Sequence, residues 1–142
     1  MRLELNLRLP VASRWLAATR RTLTLYLAEL GMPKSVVDDV ILAMDEACAN
    51  VLLHAYPEGY EGDYVLRADL DPDRILIEVI DDGIGFDQMC RPAERGEDAK
   101  LASGGRGLEV MRRLMTTVEV ESPTEAGGTR LRLTRLFPST SE

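Results

Sequence analysis

The chain is poor in the residue types that build several kinds of site. It has two cysteines and one histidine. Cys48 and Cys90 lack a CxxC spacing or a histidine pair nearby, so neither a zinc site nor a disulfide framework is indicated, and a reducing cytoplasm is expected. Positive charge is also short: 17 lysines and arginines stand against 24 aspartates and glutamates, a net charge of −7. Phosphate-backbone binding depends on clustered lysine and arginine, so nucleic acid is disfavoured as a partner. No apolar run nears the roughly 20 residues of a membrane helix. The start, Met1-Arg2-Leu3-Glu4-Leu5-Asn6, lacks the apolar core of a signal peptide. The expectation is an intracellular protein with no membrane span. Neither an internal repeat nor a domain linker is visible. No GxxxxGK[ST] occurs, which removes the Walker A loop, and the glycine cluster at 104–107 follows a charged segment and not a strand, unlike the dinucleotide-binding fingerprint.

What is present is an ordinary globular balance, with 45% hydrophobic and 29% charged residues over 142 positions. That length predicts one domain spanning 1–142, with enough apolar material to fold alone. Leu3, Leu5, Leu7 and Leu9 alternate with polar residues and predict a half-buried strand. Helical spacing follows from Val11 to Leu30, with Gly31 as its C-cap. After Pro33 a second helix is predicted through about Tyr56, carried by Val36, Val37, Val40, Ile41, Met44, Cys48, Val51 and Leu52. Tyr64 to Asp71 alternates, Asp71-Pro72-Asp73 turns, and Ile75 to Ile80 is apolar on both faces, as a central strand requires. From Phe86 to Ser103 the pattern stops, a length at which structureless segments are usually functional lids or disordered. A short helix opens at Gly104, and strands near Val118–Glu121 and Thr129–Leu136 close the chain. The order β-α-α-β-β-lid-α-β-β has too few βαβ units for a doubly wound sheet. An α+β two-layer sandwich is expected, a mixed, mostly antiparallel sheet covered by three helices.

Four local features carry chemistry. Glu46, Asn50 and His54 recur every fourth residue and draw a polar line beside the apolar stripe of the second helix. Such a line is either a solvated helix edge or a general base followed by a metal-orienting amide. Asp81-Asp82-Gly83-Ile84-Gly85 sits where an apolar strand ends. It reads either as a tight turn or as a carboxylate placed to accept a hydrogen bond from an exocyclic amine, with glycines that bring backbone close to a ligand. Gly104-Gly105-Arg106-Gly107-Leu108 opens a helix and exposes unpaired N–H groups at its positive end, an arrangement suited to phosphate oxygens. Gly127-Gly128-Thr129 precedes the last strand and reads locally as a hairpin turn.

Taken together, in this order and spacing, the four resemble the N, G1, G2 and G3 boxes of the GHKL ATPase and kinase superfamily, which includes gyrase, histidine kinases and MutL. The strings Asp45-Glu46-Ala47-Cys48-Ala49-Asn50-Val51-Leu52-Leu53-His54-Ala55-Tyr56 and Gly104-Gly105-Arg106-Gly107-Leu108-Glu109-Val110-Met111 look like one branch, the bacterial anti-sigma-factor serine kinases of the RsbW and SpoIIAB type. The likeness covers essentially the whole chain. It implies a histidine-kinase-like ATPase fold and the cofactors ATP and Mg2+. It implies Glu46 as catalytic base toward an acceptor serine and Asn50 as ligand of the magnesium. It further implies Asp81 on the adenine amino group, with Gly83, Gly85 and Thr129 around the base. Gly105, Arg106, Gly107 and Leu108 would lie at the phosphates beneath a lid of about 86–103. For His54 a structural role at the helix end is expected.

The implied partners are a sigma factor and a STAS-domain anti-sigma-factor antagonist, with a homodimer as the assembly and Arg20 and Arg21 as candidate contact residues. The sequence departs from part of the branch just before the G2 glycines. Some members carry acidic and basic residues there, the basic one reaching the γ-phosphate, whereas this chain has Ala102 and Ser103. Phosphoryl transfer relies on cationic stabilisation. Lys100 or Arg106 would have to substitute, or the protein is an ATP-binding partner-switching module with little phosphotransfer.

Overall fold

Among the described residues, five runs of alternating or apolar residues form the strands of one sheet, and three amphipathic runs form the helices that cover it. The structure is a computed structural model that describes residues 1–83, 104–125 and 127–137. Gly85, the lid at 86–103 with Lys100, Ala102 and Ser103, and the side chain of Arg106 lie outside the described residues. In chain order the elements are β1 (Leu3–Pro10), α1 (Arg14–Glu29), α2 (Lys34–Asn50), a π-helical turn (Val51–Ala55), β2 (Asp63–Leu70), β3 (Arg74–Asp81), α3 (Gly104–Leu114), β4 (Thr117–Glu121) and β5 (Thr129–Leu136). The second helix does run on toward Tyr56, but its last five residues widen from α to π geometry.

The strands lie in the order β1-β2-β3-β5-β4. The expectation of a mixed, mostly antiparallel sheet narrows here, because all four pairings are antiparallel. β3, apolar on both faces in the sequence, pairs on both sides and is central, as its pattern predicts. The β2–β3 turn is built by Asp71, whose Oδ1 accepts the N–H groups of Asp73 at 2.8 Å and Arg74 at 3.0 Å.

Period-two alternation puts Tyr64, Leu66, Ala68 and Leu70 of β2, Ile75, Ile77 and Val79 of β3, and Leu131 and Leu133 of β5 on one buried face. The other face carries cross-strand charge pairs such as Arg132 Nε to Glu78 at 3.0 Å, which at a wet surface contribute about 0–1 kcal/mol each. Stability therefore resides in the apolar layer, where burying one such aliphatic side chain is worth about 1.5–3 kcal/mol.

α2 is the middle of the helical layer. It packs on α1 and α3 and reaches β3 and β5 beneath, and Val36, Val37, Val40, Ile41, Ala43, Met44, Ala47 and Cys48 are all buried. Burial pushes the Cys48 thiol up to about 12, so it packs as a small hydrophobe and not as a thiolate. Arg135 ties the layers together at one end, donating to Asp39 of α2 at 2.8 Å and to the Leu114 carbonyl of α3 at 2.6 Å. Arg20 of α1, a candidate partner contact, is turned onto Asp45 of α2 at 2.9 Å. No helix among the described residues is long and apolar enough to cross a membrane.

Candidate functional site

Because β3 and β5 pair in register, Asp81 and Thr129 face each other at the same end of the sheet. Both are buried, at 6% and 1% exposure, two of four buried polar residues among the described residues. The Asp81 carboxylate takes the Gly83 N–H on Oδ1 at 2.9 Å and a second hydrogen bond from the Thr129 backbone. Burial raises its pKa above the ordinary carboxylate value and the neighbouring charge of Asp82 adds to this, while the two backbone donors oppose the rise. The Thr129 hydroxyl lies 3.2 Å from that of Ser122.

Two glycines let the backbone close around this carboxylate. A Cβ on Gly83 would overlap the Ala55 carbonyl, and one on Gly128 would overlap the Asp81 carbonyl. In each case the obstacle is backbone and cannot swing aside. The Asp81 corner is thereby pressed between the π-helical turn on one side and the β4–β5 turn on the other.

The second half of the site lies on α2 and α3. Glu46 and Asn50, one turn apart on α2, face the start of α3. A Cβ on Gly107 would stand 3.0 Å from Glu46 Oε2 and 3.7 Å from Asn50 Oδ1. Gly105, Gly107 and Leu108 lie in the first two turns of α3, whose leading N–H groups have no carbonyl a turn before them and carry the positive end of the helix dipole. Glu46, Gly107, Glu109, Val110 and Arg113 line an open groove of about 470 Å³. His54 is half-buried within the π-helical turn.

Asn50 is buried at 6% exposure, yet its Nδ2 has no hydrogen-bond partner among the described residues. An unmet buried donor costs about 1–3 kcal/mol, and a native fold keeps one where something else completes it. No group of three or more histidine, cysteine or acidic side chains among the described residues could hold a metal. One amide oxygen beside a helix start whose N–H groups suit phosphate oxygens still fits magnesium, which keeps several waters and relies on substrate phosphates for the rest of its shell.

The sequence reading did not anticipate Tyr56 and Asp82. Tyr56 donates its hydroxyl hydrogen to Asp82 Oδ1 at 2.5 Å and accepts the Asp82 N–H at 3.0 Å. The two residues are 26 positions apart, and no spacing rule connects them.

This arrangement can accept a nucleotide, and likeness to known proteins gives the class. The histidine kinase-like ATPase domain matches residues 9–135, and the chain belongs to that family. Within it the chain is similar to serine-protein kinases. RsbW of Bacillus pumilus is 30% identical over 126 residues, covering 83% of this chain and 78% of the relative. RsbW of Bacillus subtilis is 28% identical over 124 residues, with the same coverage. The anti-sigma F factor of Clostridium acetobutylicum is 30% identical over 120 residues, covering 83% of this chain and 82% of the relative. Among solved structures, that of the RsbU and RsbW domains of a Mycobacterium tuberculosis protein superposes with a TM-score of 0.68 at 25% identity. It covers 96% of this chain, which spans 34% of that longer one.

Proposed function

We propose that the chain is an ATP-dependent protein serine kinase and anti-sigma factor that phosphorylates a STAS-type anti-sigma-factor antagonist in a partner-switching pathway. The observation that carries this reading is the approach of Glu46 to Gly107, which sets a carboxylate beside the helix start suited to phosphates. The kinship with RsbW supports it. Asp81 reads the adenine amino group, with Gly83, Gly85 and Thr129 shaping the base pocket. The first N–H groups of α3, at Gly105, Arg106 and Gly107, hold phosphate oxygens, and Leu108 follows beside them at the start of the next turn. Asn50 would hold Mg2+, which when bound neutralises charge on those oxygens. Glu46 takes the proton of the acceptor serine as its oxygen bonds to the γ-phosphorus and the bond to ADP breaks. The groove beside Glu46 gives the serine its approach. A single domain over 1–142, a cytoplasmic location, a homodimer and a sigma factor as second partner belong to the same reading.

The test is phosphate transfer from labelled ATP, with magnesium, to a STAS-domain protein bearing an acceptor serine. Glu46→Gln is expected to lower transfer by about 10²–10⁴-fold and leave ATP affinity within about twofold. Equal transfer by wild type and variant would remove Glu46 as the base. A tight ATP complex with no transfer selects the second reading, an ATP-binding switch module, which the Ala102-Ser103 departure favours. Absence of ATP binding by wild type ends both.

A further inference from the structure

Asp82 stands between the two residues that define the base corner, Asp81 and Gly83, and it is held by one distant group. The Tyr56 hydroxyl bonds it in both senses, donating to the side chain and accepting from the backbone N–H. The residue before Tyr56 supplies the second contact, since Gly83 lies directly on the Ala55 carbonyl. The Tyr56 ring is itself fixed by parallel stacking on Tyr60, with centroids 4.1 Å apart and planes 2° from parallel. Burial and the neighbouring Asp82 push the hydroxyl up from its ordinary value, so it keeps its proton and remains a donor at neutral pH.

We propose that Tyr56 is the positioning residue for adenine selection, clipping residues 82–83 to the end of the π-helical turn so that the Asp81 carboxylate meets an incoming base in one orientation. The inference rests on the adenine-reading role proposed above for Asp81. Adenine presents an amine to that carboxylate, whereas guanine presents a carbonyl oxygen whose lone pairs oppose it. Discrimination of this kind depends on a buried polar group that cannot turn away from the wrong partner. Release of Asp82 frees Gly83, whose N–H holds Asp81 Oδ1, and the carboxylate gains the freedom to avoid the mismatch. The same turn begins directly after Asn50, so the clip also joins the base corner to the helix that carries the proposed metal ligand.

The experiment compares wild type, Tyr56→Phe and Tyr26→Phe, the last a tyrosine on α1 outside the site. Affinities for Mg-ATP and Mg-GTP are measured by calorimetry, alongside thermal melting and exchange of the Asp82 and Gly83 amides. Phenylalanine keeps the stacking ring and removes only the hydroxyl. Tyr56→Phe is expected to weaken ATP binding by about tenfold and leave GTP binding unchanged, so that the preference falls by the same factor. Faster exchange at Asp82 and a melting temperature within a few degrees of wild type should accompany this, while Tyr26→Phe behaves as wild type. An unchanged ATP-to-GTP ratio, or equal weakening of both nucleotides, would overturn the proposal and leave the nucleotide reading intact. Wild type that binds ATP with no preference over GTP would overturn it through Asp81. Wild type that binds neither would overturn the functional reading and this inference with it.

Discussion

The two halves of the candidate site are built to opposite rules. At the base corner the polar groups are satisfied by the protein itself: Asp81 holds two backbone donors, and Tyr56 and Asp82 bond each other twice. On the phosphate side the Asn50 amide is buried with its Nδ2 unmet among the described residues, and the start of α3 leaves N–H groups for a ligand to complete. The difference follows from what each half is proposed to hold. A flat, uncharged base is told from its analogues by a few directional hydrogen bonds, so the protein must hold its own partner rigid. Phosphates and a hydrated cation bring strong charge-assisted bonds of their own, so the protein need only leave donors and one hard oxygen in place.

The comparison can be broken most severely at Gly128. Valine there would drive a Cβ into the Asp81 carbonyl, which is sheet backbone, and unfolding free energy measured in urea should fall by about 2–4 kcal/mol with ATP binding lost. A chain that keeps its stability would show that the corner is looser than its contacts imply.

Asp81→Asn separates recognition from folding. Calorimetry should show ATP affinity reduced by about 10–100-fold, the loss of a hydrogen bond to a charged group. Stability at pH 7 should be equal to or above that of wild type, because a buried charge has been removed. The sign follows from the raised pKa of Asp81. Its protonated form is favoured by folding, so that contribution is full below the unfolded value of 3.8 and is lost as pH rises through the higher native value. The stability gap between variant and wild type should therefore close toward acid pH. A gap that widens on acidification would reverse the assignment.

On the phosphate side the smallest effect is expected. Asn50→Ala removes a donor that lacks a partner among the described residues, so the cost of the lost amide is offset and stability should stay within about 1 kcal/mol. ATP affinity in magnesium should drop by about tenfold, to the level that wild type shows with the metal chelated. A large loss of stability with unchanged magnesium dependence would make Asn50 a structural residue.

Much of the fold was legible in one dimension because each element is amphipathic with its own period. Alternation placed β1, β2 and β5, and the two-faced apolarity of Ile75–Ile80 put β3 at the centre of the sheet. The stripe on the second helix marked the face that is buried. That same pattern extended α2 as one helix to Tyr56 and did not show the π-helical turn, since apolar spacing barely changes over five residues while the hydrogen bonds shift by one. The antiparallel character of every pairing was likewise not in the strand patterns, which describe faces and not partners. For the candidate site, the glycine and acid spacings marked four separate segments without saying which would touch. Nothing local distinguishes Tyr56 from any other aromatic residue at a helix end.

The order of residues along the chain sets which are apolar, at what period, and where glycine and acid interrupt them, and these suffice for an α+β sandwich and for four candidate segments. Packing of the folded chain is what makes Ala55 and Tyr56 meet Gly83 and Asp82, opens Gly107 opposite Glu46 and Asn50, and buries Asp81 against Thr129. Periodicity arises from contacts a turn or a pleat apart and is written along the chain. Contacts between residues 26 positions apart, or more, depend on strand order, register and the angle at which helices cross the sheet, and those are settled only when the whole core packs.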